Sequence, residues 1–153
     1  MTYTLSQAFA GRGSKLQYST NPPSIPYVIF AEIKTANITG SKADLADVTN
    51  MESGNIKEWL PTLIDWGEVN VAGNLIPNDA AQQAVIGFFT NQTRVNWQIV
   101  LPPNVAQGYA TTLGTYGFAG FATSYDIAVP VEKEGSFSAK IKITGALVFQ
   151  PGS

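Results

Sequence analysis

Hydrophobic and polar positions follow a helical period in one stretch of the chain, residues 77–91. Apolar residues recur there at intervals of three and four positions, which is the spacing of one face of a helix. The stripe consists of Ala81, Ala84, Val85, Phe88 and Phe89. Asn78 or Asp79 can cap the first turn, whereas Gln82 and Gln83 are expected to point away from the stripe. The pattern predicts one α-helix that lies across a face of a small sheet.

Most of the remaining chain follows the two-residue period of β-strands. The predicted strands cover residues 26–36, 67–75, 93–101, 116–129 and 136–149. Glycines interrupt the last two, and we expect a bulge or a close backbone approach at Gly117 or Gly120 and at Gly145. About six strands and one helix predict a mainly β fold, an antiparallel β-sandwich or barrel with one α-helix packed against it.

Residues 37–54 are polar and show no settled period. They are predicted to form a long loop, which at this length is usually functional or disordered. A single helical turn is predicted next, at residues 56–63, with Pro61 closing it. Trp59 and Leu60 are expected to anchor this turn.

Residues 1–25 are rich in Gly, Ser, Thr, Asn and Pro and are predicted to form an N-terminal arm ahead of a single domain at residues 26–153. Spaced apolar side chains are unusual in a pure linker. This favours an arm that orders against a neighbouring subunit over a flexible terminus. The side chains expected to make these arm contacts are Leu5, Phe9, Leu16 and Tyr18.

The composition narrows the function classes. The 153 residues are enough for one domain with its own core. Cysteine and histidine are both absent from the sequence, which removes disulfides, Ser-His and Cys-His catalysis and most transition-metal sites. Charged residues make up 13% of the chain, the net charge is −2, and the nine Lys and Arg residues are scattered. This disfavours sequence-specific nucleic-acid binding and suits a surface that meets other proteins.

Candidate catalytic motifs are weak. Residues 11–15 contain glycines and a lysine but lack the spacing of a phosphate-binding loop. Carboxylate pairs such as Glu132 and Glu134 are more typical of a solvated turn than of a glycosidase. We therefore predict no catalytic residue, no cofactor and no metal site.

The aromatic residues leave carbohydrate binding open as an alternative function. Tyr109, Tyr116, Phe118 and Tyr125 can form a sugar-stacking platform, so a stand-alone carbohydrate-binding module is an alternative.

The N-terminus lacks a signal-peptide pattern, and apolar runs stay below the roughly eighteen residues of a membrane span. We expect neither export nor membrane association.

The order of several segments resembles the major tail tube proteins of long-tailed, non-contractile bacteriophages, typified by the N-terminal domain of the lambda tail tube protein. The segments that carry the resemblance are residues 47–49, 56–61, 67–74, 77–82, 97–102, 117–121, 129–132 and 137–145. They include the sequence Asp-Val-Thr, a strand that runs into the helix, and a closing strand with its glycine. The resemblance covers about two-thirds of the chain, and it rests on order and spacing rather than on one diagnostic motif.

The resemblance implies a structural virion protein without enzymatic activity. Such proteins form hexameric rings that stack into a tail tube, and the tube conducts DNA during ejection. The implied partners are further copies of the chain, the tape-measure protein, tail-tip and tail-terminator proteins, and DNA passing without sequence specificity. The implied location is the virion tail, assembled in the host cytoplasm. The tube of a contractile or secretion-type injection machine is the related alternative.

The resemblance also implies contact residues. Loop 37–54 is the expected ring-stacking element, and the arm is a second one. The stacking candidates are Lys42, Asp44, Asp47, Met51 and Glu52. The candidates for facing the lumen or a neighbouring subunit are Glu32, Lys34, Lys140 and Lys142.

Overall fold

The computed structural model describes residues 8–20 and 26–153, and it folds them into nine β-strands and one α-helix. In chain order the elements are β1 (Lys15–Ser19), β2 (Val28–Ile29), β3 (Ile33–Thr39), β4 (Lys42–Asp47), β5 (Trp59–Asp65), β6 (Glu68–Asn74), α1 (Ala80–Asn91), β7 (Val95–Val100), β8 (Gly114–Ala128) and β9 (Ser136–Pro151). Short 3₁₀ turns lie at Met51–Ser53 and Val105–Gln107. The predicted mainly β fold with one helix is confirmed.

Seven of the strands form one antiparallel sheet in the order β2-β1-β7-β8-β9-β6-β3. Its two edge strands, β2 and β3, are separated by residues 30–32. The four steps from Ile29 to Ile33 span at most about 14 Å. The sheet must therefore curl until its edges almost meet, and a groove of about 310 Å³ remains between β1 and β3. The result is a nearly closed barrel, which lies within the predicted sandwich-or-barrel class.

Strand β1 lies inside the sheet, paired with β7 on one side and β2 on the other. Leu16 is 1% exposed, and Tyr18 packs against the core. The prediction that residues 1–25 form one arm is therefore wrong for residues 15–19, because these side chains fill the chain's own barrel. Phe9 is exposed, and the fourth predicted arm contact, Leu5, lies outside the described residues.

The core is centred on Trp97 of β7, which is almost fully buried. The rings of Phe30, Tyr18 and Phe88 surround it at centroid distances of 6.0–6.1 Å. Its indole Nε1 donates a hydrogen bond to the carbonyl of Gly120 at 3.3 Å. The edge-to-face and stacked contacts let one large residue join the sheet to the helix.

Helix α1 begins after Asp79, whose carboxylate accepts a hydrogen bond from the Gln82 backbone N–H at 3.2 Å. This is the capping interaction that the sequence predicted. Ala81 and Val85 are buried as expected. Phe89 is not, since it is 39% exposed at the outer side of the last turn.

Gln82 occupies the buried face of the helix, so the expectation that it points away is wrong. Its side chain is 2% exposed and makes three hydrogen bonds to the backbone. Oε1 accepts from the Ile76 N–H at 2.9 Å, and Nε2 donates to the carbonyls of Asn74 and Ala31 at 3.0 and 3.3 Å. The Gln82 side chain lies beside the end of β6, where backbone groups have left the ladder and need other partners.

Replacing Gln82 with leucine is expected to lower the free energy of unfolding by about 2–4 kcal/mol, because one N–H and two carbonyls would stay buried without partners. Gln83→Leu is the matched control, since the Gln83 side chain is exposed and donates to the Pro77 carbonyl at the surface. That variant should change stability by less than about 1 kcal/mol. Urea unfolding followed by tryptophan fluorescence measures both, and equal losses would contradict the bridging role of Gln82.

The glycines in the two longest strands behave as the pattern predicted. The β8–β9 register shifts between Gly117 and Ala119, and Gly145 has a φ of +82° on the opposing strand. A bulge at these positions is confirmed. At Gly120 the strand is regular, but a Cβ would lie 2.6 Å from the Lys142 carbonyl oxygen, which explains the glycine by close approach.

The predicted strand at residues 26–36 is interrupted. The chain turns at residues 30–32 as it crosses from one sheet edge to the other, and the second strand then continues to Thr39. Glu32 has a φ of +50°, which is uncommon for a residue with a side chain. The alternating pattern alone did not reveal the break, because Phe30 within the turn is itself buried.

Candidate assembly surface

Residues 33–74 form one long bent hairpin. Strand β3 pairs with β6 inside the barrel, and β4 pairs with β5 in a separate two-stranded ribbon. The predicted loop at residues 37–54 is therefore wrong: it contains the end of β3, all of β4 and a 3₁₀ turn. The predicted helical turn at residues 56–63 is also wrong, because most of it is strand β5.

A glycine corner separates the ribbon from the barrel. Gly40 and Gly67 have φ values of +79° and +85°, which favour glycine strongly. The Ser41 hydroxyl donates to the Trp66 carbonyl at 2.8 Å across the corner. The Gly67 N–H donates to the Asp65 carboxylate, also at 2.8 Å. These contacts direct β4 and β5 away from the barrel surface.

Lys142 of β9 ties this corner to the sheet. Its Nζ lies 2.8 and 3.1 Å from the two carboxylate oxygens of Asp65. The hydrogen bond from Lys142, and next the one from the Gly67 N–H, lower the pKa of the Asp65 carboxyl. Because that pKa is lower in the folded chain, the stabilisation is present at neutral pH and is lost as the pH falls through the lowered value.

The ribbon exposes many large apolar side chains, which we call the apolar hairpin surface. Its members are Leu45, Val48, Met51, Ile56, Trp59, Leu60, Leu63 and Ile64, each at least 43% exposed. Both faces of β5 contribute, so neither face is covered by the barrel. An isolated two-stranded ribbon is marginally stable in water, and a contiguous exposed apolar patch marks an interaction site.

Polar contacts order the tip of the ribbon. Asp47 accepts from the Thr49 N–H at 2.9 Å, and the Thr49 hydroxyl accepts from the Glu58 N–H at 2.9 Å. Asn50 caps the 3₁₀ turn, and the Ser53 hydroxyl donates to the Glu58 carboxylate at 2.7 Å. The hydrogen bond between Thr49 and Asp47 lowers the pKa of the Asp47 carboxyl. The tip therefore has a defined shape before it meets a partner.

The five stacking candidates all lie on this ribbon. Lys42, Asp44 and Asp47 are on β4 and exposed, and Met51 and Glu52 are exposed on the 3₁₀ turn at the tip. The structure brings them onto one projecting element. The sequence analysis did not identify the apolar residues beside them as surface residues. A strand with two apolar faces has no alternation of apolar and polar positions, and Pro61 was interpreted as the end of a helical turn. A proline within such a run is itself a signal of an edge strand.

The four lumen-or-subunit candidates have different surroundings. Lys34 pairs with Glu134 at 3.1 Å, and Lys142 pairs with Asp65, so two of the four take part in ion pairs of their own chain. Lys140 and Glu32 are exposed. Lys34 lies on β3, and Lys140 and Lys142 lie on β9. These two strands are the neighbours of β6 on its two sides.

Three of the four aromatic residues considered for a carbohydrate platform pack against other residues of the chain. Phe118 is 5% exposed within the core. Tyr116 packs against Phe149 with a centroid distance of 5.0 Å, and Tyr125 stacks on Phe137 at 6.1 Å. These contacts stabilise the barrel, and the fourth residue, Tyr109, is half-buried.

Two further features of the described residues bear on the kind of site. Within residues 8–20 and 26–153, Asp and Glu side chains do not gather into a group of three that could hold a metal ion. The helix found in those residues is also too short to cross a membrane.

A small barrel with a projecting apolar hairpin has the form of a building block for a protein assembly. Residues 15–149 match the family described as phage tail tube protein, and the chain belongs to that family. The resemblance found in the sequence is thereby confirmed. The expectation of a structural virion component rather than an enzyme is confirmed by the same membership.

Solved structures share the fold. A chain in the tail of an empty gene transfer agent particle, computed with C6 symmetry, is 21% identical, covers 94% of this chain and 99% of its own, and has a TM-score of 0.70. A chain of the SPP1 tail tube is 15% identical, covers 95% and 80%, and has a TM-score of 0.69. A chain in the baseplate of the anti-feeding prophage is 10% identical, covers 97% and 98%, and has a TM-score of 0.73. No curated protein matches the chain in sequence.

Proposed function

We propose that this tail tube protein polymerises as stacked hexameric rings and that the resulting tube conducts DNA during ejection. The observation that carries the proposal is the apolar hairpin surface, in which eight large apolar side chains are each at least 43% exposed to water at an unfavourable free-energy cost. Burying it against further copies of the chain removes this cost. The charged tip residues then set the register of the contact, because mispaired charges are costly.

The placement of the hairpin supports stacking. The ribbon leaves the barrel at the Glu68 end of β6, whereas the β8–β9 turn and the start of α1 lie at the Asn74 end. A projecting element at one end and a different surface at the other favour heterologous contacts. Such contacts close into rings or continue as open stacks.

The number of subunits in a ring is drawn from a structural neighbour. The gene transfer agent tail was computed with C6 symmetry, and its chain covers nearly all of this one. We assign the same six-fold symmetry to the ring of this protein. Chains of an extracellular contractile injection system share the fold, so the tube of a contractile machine is the second candidate.

The remaining partners follow from the tube. DNA and the tape-measure protein would occupy the lumen, and tail-tip and tail-terminator proteins would close the two ends, with assembly in the host cytoplasm. A net charge of −2 suits conduction, since passage requires weak contact with phosphates. Lys140 and Glu32, which are exposed, are the candidates to line the lumen or a subunit contact.

Negative-stain electron microscopy over a series of rising protein concentrations tests the proposal, with purified tail-tip complexes added in a parallel series. Rings or tubes with a central hole and six-fold class averages are expected in one or both series. A chain that stays monomeric in both, as judged also by light scattering, would refute the tube. A glycan array run on the same sample checks the binding-module alternative.

A further inference from the structure

Met51 lies at the tip of the ribbon, where its side chain is fully exposed. The sequence contains two methionines and no cysteine, and the other methionine, Met1, lies outside the described residues. Met51 therefore carries the one sulfur atom that residues 8–20 and 26–153 present to solvent. An exposed thioether is open to oxidation to a sulfoxide, a change that the other members of the apolar hairpin surface cannot undergo in this way.

Hydrogen bonds hold the turn that carries Met51 in a fixed shape. The Asn50 side chain accepts from the Glu52 N–H at 2.8 Å, and the Ser53 hydroxyl accepts from the Asn50 N–H at 3.1 Å. The same hydroxyl donates to the Glu58 carboxylate at 2.7 Å. None of these bonds involves the Met51 side chain, so a chemical change at its sulfur should leave the turn and the barrel folded.

The surroundings of this sulfur differ between the free subunit and the proposed tube. In the free subunit Met51 is open to water, as are Val48 and Ile56 in the same connection between β4 and β5. In the tube the apolar hairpin surface, with Met51 in it, is buried against a further copy of the chain. An oxidant in solution therefore reaches the sulfur before assembly and is excluded from it afterwards.

The reaction is a two-electron oxidation of the thioether by a peroxide. A lone pair of the sulfur attacks one oxygen of hydrogen peroxide, the O–O bond breaks, and a sulfur–oxygen bond forms. The departing hydroxide takes the proton from the transferred oxygen and leaves as water. The sulfur is oxidised and the peroxide is reduced. The reaction turns a flexible apolar side chain into a polar one.

We propose that Met51 is a modification site that controls assembly: peroxide converts it to methionine sulfoxide in the free subunit, and the oxidised subunit is excluded from the tube. The inference rests on the proposed function, since it requires the apolar hairpin surface to be buried between copies. A sulfoxide oxygen needs a hydrogen-bond donor, and burial among apolar side chains such as Val48 and Ile56 denies it one.

The modification is reversible. A methionine sulfoxide reductase returns the sulfoxide to the thioether, while two thiols become a disulfide and the oxygen leaves as water. Reduction therefore returns an oxidised subunit to the pool that can assemble.

Hydrogen peroxide treatment of the free, full-length subunit tests this inference. Peptide mass spectrometry measures oxidation at Met51 and Met1, and light scattering measures the critical concentration for assembly. Oxidised subunits should require at least about a tenfold higher concentration, and reductase treatment should restore the original value within about twofold. Unchanged assembly of the oxidised chain overturns the inference, whereas failure of the unmodified chain to assemble overturns the proposed function.

Met51→Leu is the matched control. Leucine is close to methionine in volume and has no sulfur, and the variant keeps Met1. Its critical concentration should stay within about twofold of that of the unmodified chain, both before and after peroxide treatment. A peroxide-treated variant that fails to assemble would assign the effect to another residue and overturn the role of Met51.

Oxidation of preassembled tubes gives an independent readout. The rate of sulfoxide formation at Met51 should be at least about tenfold lower in tubes than in free subunits, because burial excludes the oxidant. Equal rates would show that the tip stays exposed in the tube, which overturns the inference and leaves the tube itself intact. An unchanged urea midpoint of the oxidised subunit is also expected, and a lowered midpoint would show a loss of folding instead of a blocked contact.

Discussion

Replacing Leu63 with aspartate is expected to abolish tube assembly and to leave the subunit folded. Leu63 is 73% exposed on β5, so the charge costs little in the monomer. In an assembly that buries the apolar hairpin surface, the substitution would remove about 1.5–3 kcal/mol of apolar burial from each subunit contact. It would also add the free-energy cost of desolvating a carboxylate. The association constant should fall at least about a hundredfold per contact.

Val105→Asp is the matched control for this change. Val105 is 76% exposed on the second 3₁₀ turn, which is not part of the ribbon. Sedimentation velocity measures assembly, and urea unfolding verifies that both variants keep the stability of the unmodified chain. Normal tubes from Leu63→Asp would remove the apolar hairpin surface from the assembly contact.

Gly67→Ala is expected to lower the free energy of unfolding by about 2–5 kcal/mol, the sum of a conformational and a steric penalty. A φ of +85° costs alanine about 1–2 kcal/mol. A Cβ would also overlap the Thr39 carbonyl oxygen and lie 2.7 Å from the Gly40 carbonyl carbon, so the backbone of the corner has to move. Forced repacking adds a further penalty of about 1–3 kcal/mol.

Gly108→Ala separates strain from steric overlap. Gly108 has a φ of +89°, close to that of Gly67, but nothing lies within 4 Å of the position of a Cβ. This variant should lose about 1–2 kcal/mol, the conformational part alone. Urea unfolding of the two proteins gives the difference directly. Equal losses would show that the corner accommodates a methyl group and that crowding does not fix the ribbon's direction.

Local periodicity in the sequence is sufficient where an element buries one face. Helix α1, its Asp79 cap and the strands β6, β7 and β9 follow from apolar spacing, because each has a single side against the core. The sequence contains neither histidine nor cysteine, and this alone led to the expectation of no Ser-His or Cys-His catalysis. The order of segments along the chain is enough to indicate the family.

Other features depend on the tertiary structure and could not be predicted from the pattern of apolar and polar residues. Leu16 is a core residue and not an arm contact, because β1 is inserted between β2 and β7 by pairings distant in sequence. Gln82 is buried, because the end of β6 offers backbone groups that need a polar partner. The ribbon β4–β5 was predicted as a loop and a helical turn, since both of its faces are uncovered in the single subunit. A strand with apolar side chains on both faces has no alternation of apolar and polar positions, so periodicity alone does not identify it.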